Sequence, residues 1–154
     1  MTGTAGSIAI RGSGFAVLQN PVDLQPSASG VWVDSGLFVD LPAAGVYELD
    51  AAVRASLTAG AGVNTWIRAH LFNVTAGVDV PDSETIVHQL ITTAGTGPLA
   101  GGNDTAPILV PYTVPGPRRI RLEAARHNTV GASTAASLGT GPAGRTTLRW
   151  RRVG

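Results

Sequence analysis

The residues best suited to chemistry are few. His70, His88 and His127 are the only imidazoles, each on a different strand-like stretch. No HExxH or HxH spacing sets two of them on one element, as a zinc site would need. Asp79, Asp82 and Glu84 sit in a Gly- and Pro-bounded loop, an oxygen-rich cluster of the kind that holds calcium at a loop tip, but without the ligand order or glycine of an EF-hand. The plain reading is a solvated acidic loop in which Asp82 or Ser83 caps a turn. There is no GxSxG elbow, and spacing alone assigns no two of the seven Asp and three Glu to acid and base roles. The absence of cysteine removes disulfides, thiolate zinc sites and cysteine nucleophiles together.

Gly139 to Gly144 spells GTGPAG, the letters of a dinucleotide-binding loop. That loop needs a strand before it and a helix N-terminus after it to hold a pyrophosphate. Here a strand-like RTTLRWRRV follows and Pro142 sits inside the motif, so a flexible loop is expected and no cofactor is implied. Asn73 and Asn103 fit the N-glycosylation pattern and are assigned no role.

Arginine is the one concentrated charge. All eleven basic residues are Arg, and eight of them follow residue 117. Arg118, Arg119, Arg121 and Arg126 lie on one segment and Arg145, Arg149, Arg151 and Arg152 on the last. Arginines at alternate strand positions read either as a solvated face or, in a chain so poor in charge, as docking groups for an acidic protein surface through bidentate pairs. Arg118, Arg119, Arg145, Arg149, Arg151 and Arg152 are the candidate partner-binding set. Trp32, Trp66, Trp150, Tyr47 and Tyr112 would suit a sugar-stacking platform, but all lie inside strand-like stretches, which favours core or interface packing.

These residues must be positioned by strands. Twenty Gly and ten Pro cut the 154 residues into short segments rich in Val, Ile, Leu, Thr and aromatics. In GVYELDAAVRASLTA, the residues Tyr47, Leu49, Ala51, Val53, Ala55 and Leu57 alternate with polar ones, the period of a half-buried strand. Further strands are expected over Val31 to Leu41, as one strand or a strand pair, and over TWIRAHLFNVT, ETIVHQLIT, APILVPYTV, RRIRLEAARHN and RTTLRWRRV. Gly77 to Ser83, Thr93 to Asp104 and Thr129 to Gly144 read as loops by composition. About eight strands and no convincing helix give an all-β chain: an antiparallel two-sheet jelly-roll sandwich, with a simple immunoglobulin-like sandwich as the other arrangement.

Charged residues are 14% of the chain against roughly 25% in an ordinary soluble domain, and the net charge is only +1. A broad electrostatic footprint for nucleic acid or an anionic membrane is therefore not expected. No run approaches a membrane span, and the first residues carry no secretory pattern. Several strands instead place apolar residues on both faces, as subunit contacts would require. Trp66, Phe72, Ile86 and Leu90 are the candidate interface residues. Residues 1–29 read as an N-terminal arm or as a first strand plus loop, with the jelly-roll domain over residues 30–154.

The block SGLFVDLPAAGVYELDAAVRA, then TWIRAHLFNVTAGVDVPDSE and VPYTVPGPRRIRLEAAR, resembles small jelly-roll virion proteins of tailed bacteriophages, distantly similar to C1q and tumour-necrosis-factor heads. The resemblance runs from about residue 30 to 127 and includes the closing strand. It rests on the Leu41-Pro42 strand end, the Ala44-Gly45 turn, the alternation from Tyr47 and the Ile120-Arg121-Leu122 strand. It implies a homotrimer without enzymatic activity or cofactor, located in the virion, whose partners are its own copies and the major capsid protein or other virion proteins. Capsid decoration is the leading expectation, since few residues precede the first strong strand. A receptor-binding or adhesion head of a tail fibre or baseplate, with loops that bind a glycan, is the alternative. A small β-sandwich hydrolase or isomerase using the three histidines is the rival from a different class.

Overall fold

A computed structural model describes residues 12–95 and 100–154. Eleven strands follow in order: β1 (Ser13–Val17), β2 (Val22–Asp23), β3 (Val33–Leu41), β4 (Gly45–Ala59), β5 (Asn64–Asn73), β6 (Val78–Asp79), β7 (Thr85–Ile91), β8 (Ala100–Val114), β9 (Arg118–Val130), β10 (Ser133–Leu138) and β11 (Thr147–Arg152). No helix occurs among the described residues. One sheet contains β1, β11, β4, β10, β2 and β8; the other contains β3, β9, β5, β6 and β7. All pairings are antiparallel.

The chain changes sheet at β2 to β3, β3 to β4, β4 to β5, β7 to β8, β8 to β9 and β9 to β10. It turns back within one sheet between β5 and β7. Such alternation is how a jelly roll closes two Greek keys over one core. The core forms where sequence parity puts it. Tyr47, Leu49, Ala51, Val53, Ala55 and Leu57 are all fully buried on β4 beside Leu148 of β11 in the same sheet, facing Ile67 and Leu71 of β5 and Ile120 and Leu122 of β9. Trp150 packs edge-on against Tyr47 at 5.4 Å. Its indole fills the space beside Gly14, where a Cβ would lie 2.2 Å from Nε1, so β1 can pair with β11 there only with glycine.

Two stretches expected as loops contain strands. Within Thr93 to Asp104, β8 begins at Ala100, and within Thr129 to Gly144, β9 runs to Val130 and β10 spans Ser133–Leu138. The reason is the length of β4. Its fifteen residues extend past β11, which pairs only with Tyr47 to Ala52, so Ala55 to Ala59 are free to pair with β10. On the other edge of β4, Gly101 meets Thr58, and a Cβ there would sit 3.0 Å from the Leu57 carbonyl. The small residues that hide these strands from a periodicity reading also allow close backbone approach. The β3 stretch is one strand with a bulge between Asp34 and Phe38, where Gly36 takes φ +75° and donates its N–H to Asp34 Oδ1 at 2.7 Å. The Gly77 to Ser83 stretch holds only the two-residue β6. Of the N-terminal stretch, Ser13–Val17 pairs with β11 and Val22–Asp23 with β10; residues 1–11 lie outside the described residues.

Candidate functional site

The side chains not used in the core lie on two opposed outer faces. On the five-stranded sheet, register sets them in rows: Ile91, Asn64 and Val130; Gln89, Trp66 and His127; Ile86, Arg68 and Ala125; His70, Glu123 and Asp34; Asp79, Phe72, Arg121 and Phe38. Trp32, just before β3, stacks on His70 with ring centroids 3.7 Å apart and planes 4° apart, and the Arg68 guanidinium lies 4.5 Å above it. His70 is buried, with Nε2 3.0 Å from Glu123 Oε2 and Nδ1 3.6 Å from Asp79 Oδ1. Arg121 joins Asp34 at 2.8 Å and also Glu123. Arg68 joins Glu84 at 2.6 Å. Arg119 pairs through two nitrogens with Asp40 and covers the Phe38 ring at 3.9 Å. The hydrogen bond from Arg119 holds the Asp40 carboxyl below the usual carboxylate range. Trp66 stacks on His127 at 5.3 Å, and burial, with Arg68 nearby, pushes the His127 imidazole below its ordinary pKa and favours the neutral ring.

The outer face of the six-stranded sheet is simpler. One row reads Phe15, Arg149, Asp50, Leu109 and the next Ser13, Arg151, Glu48, Pro111. Arg149 pairs with Asp50, and Arg151 with Glu48 at 2.6 Å. Phe15 is 64% exposed and Leu109 69%. Around the ion pairs lies a shallow depression of about 500 Å³ lined by Ser13, Glu48, Asp50, Leu109, Arg149 and Arg151. Pro107 and Pro111 stand on the free edge of β8, where missing N–H groups blunt strand addition.

The arginines concentrated in sequence are therefore dispersed in space. Arg149 and Arg151 face out from one sheet and Arg119 from the other, each with a carboxylate. Arg126 is buried and donates to the carbonyls of Leu24, Gln25 and Ser27, fastening the segment before β3. Arg118 donates to the Pro117 carbonyl, and Arg152 to those of Ala44 and Gly154, at the end of the sandwich formed by the 42–44 and 115–117 turns. Arg145 is exposed on the loop before β11.

The four candidate interface residues also separate. Trp66 and Ile86 lie on the outer face, Ile86 55% exposed, while Phe72 lies beneath the Arg121 guanidinium at 5.4 Å. Leu90 instead packs against the core. The sequence pattern put Leu90 on one face with Ile86, but a bulge opposite Ile67 and Arg68 shifts the parity of β7, so Ile86 and Ile91 point out while Val87 and Leu90 point in.

The three histidines do not converge. His70 and His127 occupy different rows of one face, and His88 lies at the β7–β8 edge with Nδ1 3.8 Å from Asp104. Among the described residues no three His, Cys, Asp or Glu side chains come together as a metal set. Asp79 turns to His70 and Glu84 to Arg68, so the acidic loop makes no cage. The GTGPAG segment is a turn closed by Gly141 and Gly144 and held by Arg54. Of the aromatic set, Tyr47 and Trp150 are core and Tyr112 accepts a hydrogen bond from buried Asn73; only Trp32 and Trp66 face outward. Sequence reasoning missed Phe15, Leu109, Ile91 and Val130. For Leu109 the signal was present, since it shares parity with Pro107 and Pro111 against buried Ile108 and Val110.

The fold and its faces place the chain among β-sandwich proteins of jelly-roll form. No family model and no curated protein matches the sequence. Solved structures do match in fold. The infectious bursal disease virus VP2 subviral particle aligns with TM-score 0.53 and 13% identity over 93% of this chain and 33% of that chain. A T13 particle of the same virus aligns with TM-score 0.57 and 14% identity over 92% and 31%, and its Gx strain with 0.54 and 14% over 100% and 38%. These neighbours are viral capsid proteins, and the chain spans about a third of their length. At this identity the likeness is one of fold.

Proposed function

We propose that the chain is a non-enzymatic virion structural protein, a homotrimer that decorates a capsid surface, of the kind found in tailed bacteriophages. Fold alone assigns no function. The observation that carries the reading is the outer face of the six-stranded sheet. Phe15 and Leu109 stand in solvent on either side of charges that already cancel in pairs. Covering such a face gains apolar burial of about 1.5–3 kcal/mol per large side chain without stranding a charge. Three copies turning this face toward a common axis bury it and close the assembly.

Arg118 and Arg152, bonded to backbone carbonyls at one end of the sandwich, are then the groups that meet an acidic capsid partner. The virion setting draws on the capsid-protein fold of the structural neighbours and on the resemblance in the Leu41 to Leu57 and Ile120 to Leu122 stretches. Light scattering across a dilution series, with sedimentation against capsids lacking the protein, tests the proposal. A persistent trimer that sediments with capsids is expected. A monomer removes the self-assembly argument, and a trimer that ignores capsids favours the second reading, a receptor-binding head, for which the aromatic patch around Trp66 speaks.

A further inference from the structure

The face opposite the proposed self-contact is divided. Its lower rows are bound together by Arg121, Glu123, Asp34, Arg119 and Asp40. The upper rows have no unpaired charge: Arg68, at their border, is committed to Glu84 and to the Trp32 ring. At the centre of these rows Trp66 is half-buried and braced by His127 at 5.3 Å. Ile91 and Val130, 68% and 56% exposed, stand opposite Asn64 on the two neighbouring strands. Gln89 Nε2 donates to Asn64 Oδ1 at 3.0 Å, which orients both amides and leaves the Asn64 NH2 and the Gln89 carbonyl for another partner.

We infer that this patch is a binding site for a neutral oligosaccharide, with a pyranose ring lying on Trp66 and its hydroxyls on Asn64 and Gln89. A braced indole offers a flat apolar surface at little entropic cost. Asn64 lies two residues along β5 from Trp66, about 7 Å, and Gln89 one strand away, about 4.8 Å. Both amides are thus within reach of a single sugar unit on the indole. An apolar protein surface here would strand the Asn64 NH2 and the Gln89 carbonyl, whereas hydroxyls satisfy them. An anionic ligand finds no uncommitted cation in these rows, and the His127 ring, held toward its neutral form by burial, adds none. The site is on the sheet and not on the loops where glycan contact was expected from sequence.

This inference is independent of the capsid reading, since glycan binding and capsid sedimentation are measured apart. The experiment is a screen of the full chain against an array of neutral glycans, with sulfated glycans as controls, followed by calorimetric titration of the best neutral probe. Saturable binding with a dissociation constant of about 0.1–1 mM is expected, weakened at least tenfold by Trp66→Ala, largely kept by Trp66→Phe, and with the assembly mass unchanged in both. Gln89→Ala, at a surface position, should weaken it severalfold without affecting the fold. The inference is overturned if no neutral glycan binds, if only sulfated glycans bind, or if Trp66→Ala leaves affinity intact. It is also overturned if Trp66→Ala dissociates the assembly, which would make the patch a contact between copies.

Discussion

The lower half of the five-stranded outer face is complete in itself, while the six-stranded outer face is not. On the first, each large side chain has a partner from elsewhere on the sheet: Trp32 on His70, Phe72 under Arg121, and Phe38, 42% exposed, under Arg119. On the second, the ion pairs are just as regular, yet Phe15 and Leu109 beside them are open to solvent. Cross-strand pairing of charges is common to both, so charge does not distinguish them. What distinguishes them is whether aromatic and aliphatic surface is covered by the protein's own guanidinium groups. A face that covers its apolar groups gains little from a partner; one that leaves them bare beside neutralised charges gains apolar burial at small desolvation cost.

The largest expected effect breaks this comparison on the bare side. Phe15→Ser combined with Leu109→Ser should turn the assembly into monomers at micromolar concentration, an affinity loss of at least about 100-fold, with the fold intact by circular dichroism. Sedimentation velocity reads it. Next comes the self-contained side. Glu123→Ala leaves His70 and Arg121 without their shared carboxylate in a nearly buried position and should cost about 3 kcal/mol of stability in denaturant unfolding, with Glu123→Gln recovering part of it. Arg149→Ala should cost less than about 1 kcal/mol in the monomeric double variant, as exposed pairs do. A much larger value there would show that the ion pairs hold the bare face together without any partner.

The smallest effects are in pH. His127 has its pKa lowered in the fold, so the unfolded chain binds the proton more readily. Stability is then complete above about pH 6.5 and declines as pH falls below it. His127→Asn should flatten that part of the stability profile. Asp40, lowered by Arg119, adds stability above about pH 4 that is lost on further acidification, a small contribution because the pair is exposed. Arg119→Ala removes it, and urea midpoints at stepped pH values check both.

Much of the architecture was legible in the alternation of β4 and β9, where period two fixes which residues meet the core. β10 and the start of β8 were not, because Gly, Ala, Ser and Thr carry no apolar period; they become strands only because β4 offers an unpaired edge. Leu90 was misplaced by a bulge, which no periodicity records. The arginine concentration was real in sequence but not in space, since Arg149 and Arg119 reach opposite sides of the sandwich. Their carboxylate partners, Asp50 and Asp40, are far away in sequence and adjacent only through register.

Hydroxyl-radical footprinting of the assembled protein against the Phe15→Ser, Leu109→Ser variant tests the central claim most directly, because it reads side-chain exposure on both faces at once. Pro107 and Pro111, flanking Leu109 on the same face, should be protected in the assembly and reactive in the monomer, while Trp66 and Ile86 react equally in both. Protection of Trp66 and Ile86 with Pro107 and Pro111 unchanged would contradict the assignment of the six-stranded face to self-assembly.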